Sequence, residues 1–162
     1  MIHFTSDLHL GHHNIIKYCN RPFSNAQDMD EAIIENINKS VAPKDELYIL
    51  GDFCLGNHDT IRRYRKRIRC KRIHLVKGNH DKQIPRYLFL TIRDLAKVKV
   101  DNQNIILCHY AMRVWEHSHH GSWHLFGHSH GTLKGSGKSF DVGVDTNNFF
   151  PYSFEDVKER MQ

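Results

Sequence analysis

The sequence predicts an α/β fold in which two mixed β-sheets pack as a sandwich flanked by helices. Helical segments and short apolar runs alternate in the first half of the chain, which indicates βαβ units. The second half holds several short apolar runs and few helical segments, which is typical of a second sheet. The 162 residues are 40% hydrophobic and no linker or repeat divides them, so we expect a single domain over residues 1–162.

Strands and helices alternate in the first half. Apolar residues recur at helical spacing between Met29 and Ile37, and Pro43 follows soon after, which predicts a long amphipathic helix. The other elements rest on short apolar runs and on the charged stretch that separates two of them. In chain order we predict a strand at 2–6, a short helix at 14–18, a helix at 24–41, a strand at 46–50, a basic helix at 59–69 and a strand at 73–76.

Strands dominate the second half. The pair Asp101-Asn102 predicts a tight turn between two of them. Two segments that contain Gly and Ser, 118–122 and 135–139, are short enough to be surface connections. The predicted strands are residues 87–92, 96–100, 104–108, 124–127 and 140–144.

Composition predicts a cytoplasmic protein that does not enter the membrane. The amino terminus lacks the basic segment and apolar run of a secretory signal, and no stretch is long enough to span a bilayer. The four cysteines lie far apart and form no C-x-x-C pair, which favours buried free thiols over disulfides or a thiolate metal site. They are Cys19, Cys54, Cys70 and Cys108.

The net charge of +5 comes from one basic stretch, since the rest of the chain is net negative. A solvated helix face is the simpler interpretation, because Tyr64 is the only aromatic residue among these charges. Contact with the phosphate backbone of a nucleic acid is the alternative. The stretch holds Arg62, Arg63, Arg65, Lys66, Arg67, Arg69, Lys71 and Arg72.

Histidines and carboxylates follow five of the predicted strands. Because loops at the carboxyl ends of strands converge on one crevice, ligands far apart in sequence can meet there. In Asp7-x-His9 and in His128-x-His130, an extended backbone would place the two ligand side chains of the segment on one face. The glycines before Asp52, Asn79 and His128 would permit close backbone approach. The five groups are Asp7-x-His9, Gly51-Asp52, Gly78-Asn79-His80-Asp81, Cys108-His109 and Gly127-His128-Ser129-His130.

The four letters G-N-H-D occur twice, at 56–59 and at 78–81. The first copy comes four residues after Asp52 with no strand to return it to the crevice, whereas the second directly follows a predicted strand. We therefore select the second copy as the functional one and interpret Asn57 as part of a loop and helix cap.

These groups resemble the motif pattern of the calcineurin-like metallophosphoesterases, which is D-x-H, G-D, G-N-H-(D/E), H and G-H-x-H in that order. All five blocks are present between Asp7 and His130, and the closing segment 140–152 is similar to small bacterial, archaeal and phage members. The resemblance implies a four-layer αββα fold and two metal ions bridged by Asp52. It assigns Asp7, His9 and His130 to one ion, and Asn79, His109 and His128 to the other.

The resemblance also implies a chemistry. Mixed nitrogen and oxygen ligands suit Mn²⁺, which we favour, with Fe, Zn²⁺ or Ni²⁺ as alternatives. Two such ions would activate a bridging water or hydroxide against a phosphate ester. His80 would act as the general acid, and Asp81 would orient its ring. His12, Asn14 and Arg21 follow the first motif closely enough to contact substrate, although Arg21 would alternatively brace the loop beside Pro22.

We predict a phosphodiesterase that acts on a small phosphate ester or a nucleotide. A phosphomonoesterase, such as a nucleotidase or protein phosphatase, and a nuclease that uses the basic helix are the alternatives; a catalytically silent scaffold is the non-enzyme alternative. A further histidine cluster matches no ligand pattern, and a polar surface loop is favoured over a pocket lining or a stray metal site. It comprises His117, His119, His120 and His124.

Overall fold

The structure is a computed structural model that describes residues 1–162. It contains nine strands and four α-helices. In chain order these are β1 (Ile2–Thr5), α1 (His13–Tyr18), α2 (Ala26–Ser40), β2 (Glu46–Ile49), α3 (His58–Arg67), β3 (Arg72–Val76), β4 (Thr91–Arg93), β5 (Leu95–Val100), β6 (Gln103–Cys108), β7 (Trp123–Phe126), β8 (Ser139–Asp141), β9 (Tyr152–Ser153) and α4 (Phe154–Met161).

The first sheet has five strands in the order β4-β3-β2-β1-β9. Strands β1 to β4 run parallel to one another, and β9 pairs antiparallel with β1. The carboxyl ends of β1, β2 and β3 therefore lie at one edge of this sheet, where the predicted ligand loops begin.

The second sheet has four strands in the order β5-β6-β7-β8. A hairpin joins β5 to β6 through the predicted turn, in which Asp101 and Asn102 both have positive φ (46° and 66°), as a type I′ hairpin turn requires. Strands β6, β7 and β8 are parallel. Both sheets are thus mixed, and the predicted fold class is confirmed.

Two apolar cores lie on the two faces of the first sheet. Strand β2 shows the reason, because alternate side chains point to opposite faces. Leu47 and Ile49 pack with α2 and α3, whereas Tyr48 and Leu50 pack against the second sheet. The residues of the second sheet in that core include Ile105, Leu107, Leu125 and Phe140.

The outer face of β7 is covered by the loop that follows β6. His124 is fully buried there: its Nδ1 lies 3.0 Å from the carbonyl oxygen of Ile106, and its Nε2 accepts the N–H of Met112 at 3.0 Å. The prediction of a surface loop is therefore wrong for His124, which is a structural residue. It holds for His117, His119 and His120, which are exposed around a 3₁₀ turn at Ser118–His120.

The predicted strand at 87–92 is wrong over its first half. Pro85 precedes a 3₁₀ turn at Arg86–Leu88, and only Thr91–Arg93 pairs with β3. The apolar residues here do not alternate as in a strand, because Phe89 turns inward to contact Phe53, with the ring centroids 5.4 Å apart.

The carboxyl-terminal elements β9 and α4 were not predicted. The sequence signal for the start of α4 is a capping box. The Ser153 hydroxyl accepts the N–H of Asp156, and the Asp156 carboxylate accepts the N–H of Ser153. Upstream of it, β8 ends at Asp141, earlier than the predicted strand at 140–144, because a 3₁₀ turn at Val144–Thr146 follows.

All four cysteines are free thiols, as predicted. Cys54 and Cys70 are buried, and Cys19 and Cys108 are half-buried. None of the helices combines the length and the apolar character that crossing a membrane requires.

Candidate metal centre

The loops after β1 and β2 are held together by main-chain hydrogen bonds. The N–H of Asp7 donates to the carbonyl of Gly51 at 3.0 Å, and the N–H of His9 donates to the carbonyl of Asp52 at 2.9 Å. The side chains of both D-x-H and G-D are therefore fixed at the same edge of the first sheet.

The ligand-bearing segments are not extended, so the predicted reason for their alignment is wrong. Their residues adopt left-handed backbone conformations, which cost about 1–2 kcal/mol each outside glycine. Such strain is concentrated at functional sites, where the surrounding structure maintains it. The φ values are 57° for Asp7, 50° for His9, 54° for Asp52, 66° for His128 and 48° for His130.

The three motif glycines let the backbone approach the site closely, as predicted. A Cβ atom on Gly51 would lie 2.3 Å from Nδ1 of His109, and one on Gly78 would lie 2.2 Å from Oδ1 of Asp52. A Cβ atom on Gly127 would lie 1.9 Å from Oγ of Ser6. No larger residue fits these positions without displacing part of the site.

Asp7, His9 and His130 form the first ligand group, with one donor atom from each within 4.8 Å of the others. Asp7 Oδ1 and His9 Nε2 are buried and have no hydrogen-bond partner, although Asp7 Oδ2 accepts the N–H of His128. Buried polar atoms are normally paired, and two unpaired acceptors facing one space fit a bound cation.

Asp52, His109 and His128 form the second group. His109 Nδ1 lies 2.7 Å from the carbonyl oxygen of Leu50, so this nitrogen carries the proton in the neutral ring and Nε2 presents its lone pair. That lone pair faces Oδ1 of Asn79 at 3.0 Å and Oδ2 of Asp52 at 3.6 Å. A set of converging acceptors of this kind also fits a cation.

Asp52 lies between the two groups. Its Oδ2 is 3.5 Å from His9 Nε2 and 3.6 Å from His109 Nε2, while its Oδ1 accepts the N–H of His80. The structure thus brings all seven predicted ligand residues to one place, with Asp52 positioned to serve both halves.

Burial sets the protonation of the first group. It raises the pKa of Asp7 to about 7, and it lowers the pKa of His9 to about 2, helped by the neighbouring charges of His130 and Arg21. His9 is therefore a neutral imidazole, as a metal ligand must be. The Asp7 carboxylate needs a nearby cation to remain fully ionised at neutral pH.

Arg21 braces this group and does not face the substrate space, so its predicted substrate contact is wrong. The buried guanidinium holds the Asp145 carboxylate with two hydrogen bonds of 2.8 Å and donates to the carbonyls of Asp7 and Leu8. Asp145 in turn lies 2.8 Å from Nδ1 of His130, which leaves Nε2 of that ring for a ligand.

Sequence reasoning missed Asp145. Asp145 comes shortly after β8, and a carboxylate just beyond the end of a strand is a candidate site residue on the same grounds as those in the five motifs. Burial lowers the pKa of His130, but the hydrogen bond and charge of Asp145 together with the charge of Asp7 outweigh it and raise the pKa of that ring above its usual value.

We expect Asp145→Ala to weaken metal binding about 10–100-fold, because the His130 ring loses the partner that fixes its orientation. The measurement is Mn²⁺ affinity by competition with a chelator. Glu159→Ala on the exposed face of α4 is the control. Equal affinities for the two variants would show that the hydrogen bond does not support the site.

Asp81 does not orient the His80 ring, which corrects that prediction. Its carboxylate accepts the N–H groups of Asp52 at 2.7 Å, Phe53 at 3.0 Å and Gly78 at 2.8 Å. Asp81 therefore clamps the loops after β2 and β3 to each other, and it acts on the site by positioning Asp52.

His80 lies exposed at the mouth of the site, with its ring centroid 5.3 Å from that of His9 and 6.0 Å from that of His12. His12 is half-buried at the same rim, with Nδ1 3.4 Å from Nδ1 of His9. Asn14 is exposed in the first turn of α1, and no contact joins it to the ligands.

The other copy of G-N-H-D has the predicted structural role. Asn57 caps α3 by accepting the N–H of Thr60 at 3.0 Å. Asp59 pairs with Arg62 on the helix surface. The first copy is thus excluded from the ligand set.

Two further carboxylates hold the site loops and were not predicted. Asp30 of α2 accepts the N–H of Gly11 and the hydroxyl of Tyr64 at 2.6 Å, which fixes the loop after His9. Asp141 accepts the hydroxyl of Ser129, and the N–H groups of Gly131 and Gly143, so it fixes the G-H-x-H loop.

Comparison with known proteins identifies the family of this chain. The family model for the calcineurin-like phosphoesterase superfamily domain matches residues 1–138. An uncharacterized protein of Methanocaldococcus jannaschii is 32% identical over 158 residues, which are 95% of this chain and 87% of that protein.

Solved structures share the fold. A protein of unknown function from Aquifex aeolicus superposes with a TM-score of 0.79 at 25% identity, covering 99% of this chain and 98% of that one. The phosphoesterase Yfce from E. coli gives 0.53 at 18% identity, covering 88% and 77%. The nuclease MPE from Pseudomonas putida gives 0.52 at 21%, covering 80% and 61%. The family match over most of the chain shows that this protein belongs to the calcineurin-like phosphoesterase superfamily, a family of metal-dependent proteins.

Proposed function

We propose that this protein is a metal-dependent phosphodiesterase that hydrolyses phosphate esters with water at a dinuclear centre. One observation carries the proposal: the Asp52 carboxylate lies between two ligand groups, 3.5 Å from His9 Nε2 and 3.6 Å from His109 Nε2. A carboxylate in this position can ligate two cations at once. The unpaired atoms of Asp7 and His9 support the same arrangement.

Bound at these residues, two divalent ions would acidify a shared water and neutralise charge on the phosphate oxygens. The chain itself supplies the proton for the leaving group. The His80 N–H is anchored to Asp52, while its ring is exposed at the mouth and free to approach the ester oxygen. We therefore assign the ring of His80 as the general acid.

Mn²⁺ is the ion that we favour, with Fe, Zn²⁺ or Ni²⁺ as alternatives. The ligand set combines imidazole nitrogens with carboxylate and amide oxygens, and neither of the two ligand groups contains a thiolate. Such mixed sets suit first-row transition ions better than Mg²⁺ or Ca²⁺, which prefer oxygen alone.

Diesters are expected to be better substrates than monoesters. A monoester carries a second negative charge, and Arg21, the arginine that braces the first ligand group, is already bound by Asp145. The measurement is kcat/KM for bis-nitrophenyl phosphate and for nitrophenyl phosphate. Each is measured with protein from which a chelator has removed the metal, and again after Mn²⁺ is added back. A higher value for the monoester would support a phosphomonoesterase, and no hydrolysis of either ester would support a scaffold.

The basic helix gives little support to a nuclease that binds through α3. Arg65 is half-buried and donates to the carbonyls of Leu88 and Ile68, so it braces the fold. Three other charges of this stretch are neutralised by carboxylates. The ion pairs are Arg62 with Asp59, Arg67 with Glu31 and Arg72 with Glu46.

A further inference from the structure

A groove runs along the outside of the loops after β3 and β4. It consists of two adjoining cavities of about 360 and 260 Å³. Both are lined by Lys77, Asp81, Lys82 and Asp94, so they form one continuous channel, which we call the β3–β4 groove.

The groove lies beside the metal centre. Gly78 and Tyr110 line its near end, and each adjoins a ligand in sequence, Asn79 or His109. The Tyr110 ring lies 4.9 Å from that of His109 and 4.8 Å from that of His128. A substrate whose phosphate is held at the centre therefore has this groove as its neighbour.

The groove is cationic. Lys77 pairs with Asp94 at 2.7 Å, and the Asp81 carboxylate is taken up by main-chain N–H groups. The remaining charges on its walls are positive, exposed and without an ion-pair partner. They are Lys82, Arg86 and Arg93.

A larger cavity elsewhere is less cationic than the groove. It measures about 530 Å³ and lies between α2 and α3. Arg67 pairs with Glu31 and Lys39 pairs with Glu35, which leaves Arg69 as its one cation without an ion-pair partner. Of these two cavities, the β3–β4 groove therefore holds more unpaired positive charge, and it lies beside the metal centre.

We propose that the β3–β4 groove binds the backbone phosphates of a single-stranded nucleic acid next to the phosphate at the metal centre. Several separate cations along a channel match a chain of phosphates better than one small anion. Tyr110 is 47% exposed at the junction and offers an aromatic face on which a base can stack. This inference rests on the proposed phosphodiesterase function and names its substrate class.

The test measures binding of a fluorescent oligothymidylate by anisotropy at several salt concentrations, in an Asp52→Asn background that prevents cleavage. The groove variant carries Lys82→Gln, Arg86→Gln and Arg93→Gln. The matched control carries Arg63→Gln, Lys66→Gln and Arg69→Gln, which remove the same charge from the basic stretch. We expect the slope of log affinity against log salt to fall by about 2 in the groove variant, at about 0.7 per lost contact, and to stay unchanged in the control.

Stacking is tested separately. Tyr110→Ala is expected to weaken binding of the same oligonucleotide about tenfold, and Tyr110→Phe should restore most of it. Equal losses in the groove variant and its control would overturn the proposal. So would tighter binding of a duplex or of tripolyphosphate than of the single strand.

Hydrolysis of bis-nitrophenyl phosphate by the wild-type protein is scored in parallel. Groove-dependent binding without any hydrolysis would overturn the proposed function and leave the nucleic-acid site standing. Hydrolysis without groove-dependent binding would overturn the groove alone.

Discussion

Asp52→Asn is expected to reduce Mn²⁺-dependent hydrolysis of bis-nitrophenyl phosphate about a thousandfold or more. The change keeps the shape of the side chain but removes the charge shared by the two ligand groups. Metal assistance contributes several kcal/mol to such reactions, and each 1.4 kcal/mol corresponds to about a tenfold change in rate. The measurement is kcat together with the number of Mn²⁺ ions retained per chain.

The second copy of the motif provides the control for this variant. Asp59→Asn makes the same chemical change in the same four-letter context, but Asp59 lies on the surface of α3. Its exposed ion pair contributes little to stability, so near wild-type activity is expected. Full activity in Asp52→Asn would contradict the dinuclear arrangement.

His80→Ala is expected to lower kcat about 10²–10⁴-fold for diesters with poor leaving groups. The loss should be smaller for nitrophenyl esters, because nitrophenolate departs readily without a proton. Rates for a series of phenyl esters therefore provide the measurement: the slope of log kcat against leaving-group pKa should steepen in the variant. A purely structural role for His80 would lower all rates by the same factor.

His58→Ala in the first copy of the motif is the matched control, since His58 is exposed in the first turn of α3. It should leave both the rates and their leaving-group dependence unchanged. A similar loss in both variants would remove the assignment of His80 as the acid.

The residues that meet at the candidate site were predictable from sequence because residue type and position after a strand are both local properties. Asp7, His9 and Asp52 each follow a short apolar run that forms a strand in the structure. The left-handed backbone at these residues was not predictable, since it depends on hydrogen bonds between loops.

The supporting residues show where sequence reasoning ends. Arg21 and Asp145 are 124 positions apart, and only tertiary structure reveals that each neutralises the other. Asp81 was assigned to the ring of its sequence neighbour, whereas three main-chain N–H groups from two loops take up its carboxylate. Proximity in sequence suggested a contact that the fold does not make.

The ligands come from both sheets of the sandwich. Asp7, His9, Asp52 and Asn79 follow strands of the first sheet, and His109, His128 and His130 follow strands of the second. An ion bound by residues from both sheets would link the two sheets, in addition to its proposed part in the chemistry. Because the ion binds the folded state, it raises the free energy of unfolding by about 2.7 kcal/mol when the free metal concentration is a hundred times the dissociation constant. The concentration of free metal would then govern the stability of the folded protein as well as its rate of hydrolysis.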